Sequence, residues 1–153
     1  MLFLLFQLGK DRYALEAELV AEVLPMVHLK QIPRAPAPVA GVFNLRGVPV
    51  PVIDLTMLAL GQPSRARMST RIVLVRHPDS KGTLRQLGLI AEKATETIRR
   101  DPADFVDAGV SSEGAPYLGP VAHYVHGLIQ RVDVHKLLPS SVCDVLFMDH
   151  VAP

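Results

Sequence analysis

The polar residues best suited to specific contacts lie in the segment Gly-Val-Phe-Asn-Leu-Arg-Gly at positions 41–47. Asn44 and Arg46 stand between Gly41 and Gly47 in an otherwise apolar run, which is typical of a tight turn between two strands. At such a turn the planar guanidinium of Arg46 could donate several hydrogen bonds to an acceptor on another molecule. A salt bridge inside its own domain is the alternative for Arg46.

Other residues capable of chemistry do not form a recognisable catalytic or metal site. His123 and His126 are three residues apart and His135 follows, but the sequence lacks further ligands at a zinc-site spacing. Cys143 has no neighbouring histidine placed as a base, and the sequence contains no phosphate-binding glycine motif. We therefore predict a non-enzymatic protein without a metal or other cofactor.

Composition limits the classes of function that remain. Lys plus Arg total 16 and Asp plus Glu total 15, so the net charge of +1 lacks the strongly basic signature of a nucleic-acid-binding protein. The single cysteine excludes an internal disulfide and fits a reducing compartment. The apolar run at the N-terminus is too short for a signal peptide or a membrane-spanning helix. We expect a cytoplasmic protein without direct membrane insertion.

The hydrophobic pattern predicts an all-β domain built from short strands. Glycines and prolines divide the apolar segments, and no ten-residue amphipathic helix separates them. Pro49 and Pro51 cannot donate to a strand ladder, so their strand should lie at an edge or beside a bulge. A short helix is predicted at 55–60. Strands are predicted at 2–8, from 13, at 20–24, on both sides of the 41–47 turn, and at 71–76, 87–90, 94–98, 117–121 and 128–134.

The two halves of the chain resemble each other. Residues 13–24 align without a gap with residues 87–98, and residues 52–55 match residues 131–134. A true duplication favours two small barrels with a groove between them, where a ligand could bind. Chance similarity between short apolar strands is the alternative. Asp54 and Asp133 end the matched segments, which predicts turn or helix capping and not a catalytic pair.

Several motifs resemble the CheW family of chemotaxis coupling proteins. The most specific is Asn-Leu-Arg-Gly at 44–47, and it is accompanied by Phe-x-Leu-Gly at 6–9, Val-x-Glu-Val at 20–23, Ile-Pro at 32–33 and Pro-Val-Ile-Asp-Leu at 51–55. The resemblance implies an all-β fold of two intertwined five-stranded SH3-like β-barrels with short terminal helices. It also implies an adaptor that couples the cytoplasmic tip of a chemoreceptor to the regulatory domain of a CheA-type histidine kinase, at the inner face of the membrane.

The resemblance further implies which residues form the docking surface. Residues matched to partner-binding positions are Val20, Glu22, Val23, Ile32, Asn44 and Arg46. Glycines at which a larger side chain would distort the interface are Gly41, Gly47, Gly88 and Gly119. From the residues alone, a core position is the alternative for the three apolar members of the first set, and an ordinary exposed strand carboxylate is the alternative for Glu22.

A narrower resemblance concerns the pathway. The start of the chain at its first strand and the Tyr-Leu-Gly-Pro-Val block at 117–121 are similar to the couplers of Wsp-type surface-sensing pathways, which control a diguanylate cyclase. The second half departs from the family pattern, because residues 122–127 read as an insertion. This departure leaves open how the second barrel meets a kinase.

We predict a single CheW-like domain over residues 1–142, with subdomain 1 at about 1–64 and subdomain 2 at about 70–138, followed by a tail at 143–153. The apolar residues of the tail could pack on a barrel or pair with a partner. The alternative function is a stand-alone SH3-like module that binds proline-rich peptides or single-stranded nucleic acid. That function needs an aromatic-lined groove, and a chain without tryptophan is poorly supplied for one.

Overall fold

The structure is a computed structural model that describes residues 1–125 and 127–147. The strands of the described residues are β1 (Leu2–Leu8), β2 (Asp11–Glu16), β3 (Val20–Pro25), β4 (Val39–Leu45), β5 (Val48–Asp54), β6 (Arg71–Pro78), β7 (Leu84–Arg99), β8 (Leu118–Tyr124) and β9 (Gly127–Val132). The helices are α1 (Leu55–Leu60) and α2 (Ser140–Cys143), with short 3₁₀ helices at Ala17–Leu19, Pro102–Asp104 and Val134–Lys136. The predicted strand-rich domain is confirmed.

The strands form two five-stranded barrels that share β7. Barrel 1 consists of β3, β6, the first part of β7, β5 and β4, in the order in which they pair. Barrel 2 consists of the last part of β7, β1, β2, β9 and β8. Each barrel contains one parallel pair, β5 with β7 or β2 with β9. The prediction of two intertwined five-stranded SH3-like barrels is thereby confirmed.

The internal repeat is visible in the strand register. In barrel 1 Val52 lies opposite Gly88, and in barrel 2 Arg131 lies opposite Ala14. The sequence alignment matches these same positions with each other, so the register supports a true duplication. Barrel 1 nevertheless takes all its strands from the middle of the chain, whereas barrel 2 combines strands from both ends. The division of the domain into subdomains at 1–64 and 70–138 stays a prediction. These ranges differ from the sets of strands that form the two barrels.

Aspartates at the ends of the matched strands cap the helices that follow, as predicted. Asp54 accepts hydrogen bonds from the backbone N–H groups of Thr56 (3.1 Å) and Met57 (3.3 Å) at the start of α1. Asp133 accepts one from the N–H of His135 (3.0 Å). Such acceptors satisfy N–H groups that the first turn of a helix leaves without an intrahelical partner.

Buried apolar side chains form three clusters, one inside each barrel and one between the barrels. Successive side chains of a strand point to opposite faces, so one strand can serve two clusters. In β1, Phe3 and Leu5 belong to the interior of barrel 2, whereas Leu4, Phe6 and Leu8 belong to the shared core between the barrels. This double burial explains why β1 is apolar at almost every position instead of alternating.

Strand β7 is the main departure from the predicted secondary structure. Two strands were expected, at 87–90 and 94–98, but the structure has one continuous strand of 16 residues. Lys93 within it adopts a φ of 51°. A residue in this conformation bends the chain, so β7 passes from barrel 1 into barrel 2 without ending. The prediction of two separate strands was wrong because a bent strand and an interrupted one have the same apolar pattern.

The proline-containing strand β5 was predicted to lie either at an edge of a sheet or beside a bulge, and it lies beside a bulge. It pairs with β4 along its length and with β7 over Val52–Asp54, so it is not an edge strand. The β4–β5 register shifts between Val39 and Gly41, which marks the predicted bulge. Pro49 and Pro51 precede the stretch that pairs with β7. Their missing N–H groups therefore fall where β5 has one neighbouring strand instead of two.

The segment that reads as an insertion in the sequence contributes to the β8–β9 hairpin. Ala122–Tyr124 complete β8, and Gly127 begins β9. Val125, at the turn, has a φ of 49°, close to the 50° of Arg46 in the turn between β4 and β5. Residues 122–125 and Gly127 therefore lie in barrel 2 where the 44–48 hairpin lies in barrel 1, and the insertion relative to the family stays a prediction.

Candidate functional site

The Asn-Leu-Arg-Gly segment forms the two-residue turn that joins β4 to β5. Arg46 and Gly47 have φ values of 50° and 89°, and positive φ at both central residues defines a type I′ hairpin turn. The side-chain oxygen of Asn44 accepts a hydrogen bond of 2.8 Å from the N–H of Gly47. Asn44 therefore fixes the turn, and Arg46 is presented at its tip.

Arg46 and Glu22, both predicted to contact a partner, contact each other. Both terminal guanidinium nitrogens of Arg46 donate to the Glu22 carboxylate, and both carboxylate oxygens accept, at 3.2–3.3 Å. The Arg46 side chain is nevertheless 72% exposed, and that of Glu22 is 37% exposed. The salt bridge within barrel 1 that we weighed as an alternative is therefore present, but it does not remove Arg46 from the surface.

Barrel 2 carries a related contact at the position that the repeat predicts. Glu96 aligns with Glu22, and its carboxylate accepts a hydrogen bond of 2.7 Å from the hydroxyl of Tyr124 at the end of β8. This hydrogen bond raises the pKa of Tyr124. Arg12 pairs with Glu96 at 3.3 Å and lies 5.5 Å from the centre of the Tyr124 ring. Our sequence analysis did not single out Glu96 or Tyr124, although the gap-free alignment of Glu22 with Glu96 was a signal that could have found them.

The apolar residues predicted to bind a partner differ in their surroundings. Val20 and Val23 lie on β3, where both are half-buried and pack against the shared core between the barrels. Their packing agrees with the core position that we kept as an alternative. Ile32 lies in the loop between β3 and β4 and is 40% exposed. Ile32 is therefore the member of this apolar set most available to another molecule.

An apolar groove with a volume of about 380 Å³ lies on barrel 1, against the C-terminal tail. The shared core between the two barrels encloses a cavity of only about 10 Å³. A separate groove of about 360 Å³ lies between Ala21 and Arg76 of barrel 1 and His135, which follows barrel 2, so a binding groove between the barrels stays a prediction. Leu146 is buried, and the described part of the tail packs on the protein. The apolar lining comprises Ile32, Ala35, Val39, Val42, Val48, Pro49, Pro51, Val145, Leu146 and Phe147.

Two of the predicted interface glycines occupy backbone conformations that favour glycine. Gly41 has a φ of 148°, and a Cβ there would stand 2.5 Å from the carbonyl oxygen of Lys30. Gly47 has a φ of 89°, but a Cβ there would have no atom within 4 Å. Close backbone approach therefore requires glycine at position 41, whereas the turn conformation alone favours it at position 47.

The other two predicted glycines permit close packing between strands. A Cβ at Gly88 would lie 3.0 Å from a methyl carbon of Ile72 and 3.1 Å from one of Val52, inside barrel 1. A Cβ at Gly119 would lie 3.2 Å from the carbonyl oxygen of Arg131. Close contacts account structurally for glycine at positions 41, 88 and 119, and the positive φ accounts for it at position 47; the place of all four at a partner interface stays a prediction.

The residues that we considered for catalysis do not converge. Within residues 1–125 and 127–147, no cluster of three His, Cys, Asp or Glu residues could hold a metal ion. His123 is exposed, and His126 lies outside the described residues. Burial raises the pKa of the Cys143 thiol, and Asp144 raises it further. A thiol with a raised pKa is a poor nucleophile at neutral pH, because the thiolate is the reactive form.

The chain matches a known protein family over most of its length. Residues 2–142 match the model of the CheW-like domain. The chain belongs to the CheW family. It is 30% identical over 147 residues to the chemotaxis protein CheW of Treponema pallidum (strain Nichols), covering 89% of this chain and 81% of that protein.

Other CheW proteins resemble the chain over most of its length. The chemotaxis protein CheW of Klebsiella aerogenes is 26% identical over 155 residues, covering 98% of this chain and 87% of the relative. The crystal structure of the scaffolding protein TtCheW from Thermoanaerobacter tengcongensis superposes with a TM-score of 0.77 at 25% identity, covering 90% of this chain and 87% of that one. CheW proteins are scaffolding adaptors and not enzymes, which confirms the prediction that this protein is a chemotaxis coupling adaptor without catalytic activity.

The helices of the described residues are short. None of them has the length and apolar character that a membrane crossing requires.

Proposed function

We propose that this CheW-family protein couples the cytoplasmic tip of a chemoreceptor to the regulatory domain of a CheA-type histidine kinase. In this proposal it acts in the cytoplasm and is recruited to receptor complexes at the inner face of the membrane. The observation that carries the proposal is the rigid 44–47 hairpin, which presents Arg46 on the surface of a CheW-like barrel.

Arg46 is suited to exchange its present partner for one on another protein. An ion pair between exposed side chains contributes only about 0–1 kcal/mol, so an acceptor on a docking partner can replace Glu22 at little cost. The positive-φ turn and the hydrogen bond from Gly47 to Asn44 hold the hairpin in one conformation. Little conformational entropy is then lost at the hairpin when a partner binds.

Apolar surface near the hairpin supports the same role. Val48, directly after the turn, is 52% exposed, and Ile32 is 40% exposed; both line the groove on barrel 1. Apolar grooves of this kind accept the apolar face of a helix or an apolar edge of another domain. With a net charge of +1, the protein should depend more on such shape and apolar contact than on long-range attraction.

We also propose that the pathway controls a diguanylate cyclase, as in Wsp-type surface sensing. Support for this narrower proposal comes from the Tyr-Leu-Gly-Pro-Val block at 117–121, where β8 begins. Loss of the gene should then change the cellular level of the cyclic dinucleotide product. An unchanged level after gene loss would contradict the narrower proposal and leave the coupling role intact.

The coupling role can be tested by assembly from purified components. The protein is mixed with the regulatory domain of a CheA-type kinase from the same genome, with and without a receptor signalling hairpin, and complexes are followed by size-exclusion light scattering. Arg46→Glu should weaken assembly and leave the circular dichroism spectrum unchanged. Arg12→Glu is the matched control, because Arg12 also pairs with an exposed glutamate but lies on barrel 2.

Three results would contradict the proposal. Unchanged assembly of the Arg46→Glu variant would remove Arg46 from the interface, and equal weakening by Arg12→Glu would show a general charge effect. Absence of a complex with every kinase of this type in the genome would leave the family and fold standing but would remove the coupling role.

A further inference from the structure

His77 lies in an aromatic cluster that joins barrel 1 to the C-terminal tail. It is only 4% exposed at the end of β6. The Phe147 ring stacks on it with centroids 6.4 Å apart at 19°, and the His135 ring meets it edge-on at 6.3 Å and 89°. His77 is thus one of the β6 residues that the tail contacts.

The hydrogen bonds of His77 define its protonation state. Nδ1 lies 2.8 Å from the carbonyl oxygen of Pro78, and a carbonyl can only accept, so Nδ1 carries the proton and donates it. Nε2 is buried and has no hydrogen-bond partner in the described structure. Protonation of Nε2 would therefore place a charge and an unpaired donor in a buried site. Burial lowers the pKa of His77, and His135 lowers it further, against an opposing effect of the Pro78 carbonyl.

The tail is held in a conformation that depends on this cluster. Phe147 has a φ of 58°, a left-handed conformation that bulky residues rarely adopt. Such a conformation persists only where surrounding contacts impose it, and the ring of His77 supplies one of them. Val145 and Phe147 also line the apolar groove on barrel 1. Movement of Phe147 away from His77 would therefore expose both the histidine ring and one wall of the groove.

We propose that residues Val145–Phe147 form an acid-released latch, in which protonation of His77 displaces Phe147 and opens the apolar groove on barrel 1. The latch is independent of which partner the groove receives. When the latch is open, water reaches His77 and its pKa returns towards the ordinary value of about 6.5. The open state binds the extra proton more readily, so it is disfavoured above about pH 6.5 and gains population as the pH falls below that value.

Most of the charged groups around His77 are paired with each other. Arg85 lies opposite His77 on β7 and is paired with Asp79 at 3.0 Å. On the other side, the His135 ring lies 6.3 Å from the His77 ring, centroid to centroid. Lys136 and Asp133, beside it, lie 4.0 Å apart and offset each other. The described residues provide no carboxylate within hydrogen-bond distance of Nε2 that would stabilise a buried His77 cation.

The absence of tryptophan from the sequence makes a direct test possible. Phe147→Trp places a single fluorescent reporter on the His77 ring, and its emission is followed from pH 8 to pH 5. We expect a reversible shift to longer wavelength with its midpoint below the ordinary histidine pKa of about 6.5, while the far-ultraviolet circular dichroism stays constant. The same reporter combined with His77→Phe should show no shift, and combined with His135→Gln it should keep the shift.

Hydrogen exchange on the unmodified chain supplies a second readout. The Leu146 N–H donates to the Val142 carbonyl at 3.1 Å, so its protection reports the closed tail. After correction for intrinsic exchange rates, this protection should fall with pH below about 6.5, by at most about tenfold per pH unit for uptake of one proton. Constant protection, an emission shift that survives His77→Phe, or loss of the circular dichroism signal with the same midpoint would each overturn the proposal.

Discussion

Replacement of Gly41 with alanine should destabilise the protein more than replacement of Gly47 with alanine. Both glycines have positive φ, so each new Cβ meets backbone strain of about 1–3 kcal/mol. At Gly47 this strain is the whole expected loss, because no atom lies within 4 Å of the added carbon. The pair of variants therefore separates the effect of backbone conformation from the effect of close packing.

At Gly41 the added carbon also overlaps backbone. It would stand 2.5 Å from the Lys30 carbonyl oxygen, and Lys30 is held to Val42 by two hydrogen bonds of 2.8 and 2.9 Å. Relief of the overlap must disturb this link between the β3–β4 loop and β4. Overpacking adds about 1–3 kcal/mol to the strain, so the expected loss in the free energy of unfolding is about 2–6 kcal/mol.

Urea and thermal unfolding followed by circular dichroism would measure the difference. In a protein of this size 1 kcal/mol corresponds to about 2–4 °C in Tm, so the Gly41→Ala variant should melt about 2–12 °C below the Gly47→Ala variant. Equal stability of the two variants would show that the Lys30 backbone yields without cost. A larger loss at Gly47 would refute the reasoning from close approach altogether.

Three further predictions use the same unfolding measurements. Asp54→Ala should cost about 2–4 kcal/mol, since Asp54 is buried and its loss leaves N–H groups unpaired, whereas the exposed Asp133→Ala should cost about 1 kcal/mol; equal losses would contradict this ranking. Gly88→Val should cost about 1–3 kcal/mol or more through overpacking inside barrel 1, and a neutral result would mean that its neighbours move freely. Arg46→Ala should change stability by less than about 1 kcal/mol because its pair with Glu22 is exposed, and a larger loss would indicate a structural role.

The strands were predictable where local pattern and turn chemistry agree. Leu2–Leu8 and Leu55–Leu60 have the predicted bounds, because β1 is a continuous apolar run and Asp54 and Gly61 mark the two ends of α1. The duplication was also readable, since Ala14 and Gly88 fall at matched positions of a gap-free alignment. Both features depend on residues close in sequence or on direct comparison of the two halves.

Contacts between distant segments were not predictable in the same way. The Glu22–Arg46 pair joins residues 24 positions apart, and it depends on how β3 lies relative to the 44–47 hairpin. No local pattern encodes that relation. The continuity of β7 was hidden for a related reason, because a single positive φ at Lys93 changes the direction of a strand without changing its apolar sequence.

The interlaced order of the strands has a consequence for how the chain folds as it is synthesised. Strand β2 completes its pairing only with β9, where Arg12 lies opposite Ile129. At about 5–20 residues per second, a ribosome needs roughly 6–23 s to make the intervening chain. During that interval the N-terminal hairpin has an unpaired edge, which is the kind of surface that recruits wrong partners. Barrel 2 therefore forms last although its first strands emerge first, and nascent chains would benefit from a chaperone that shields β1 and β2.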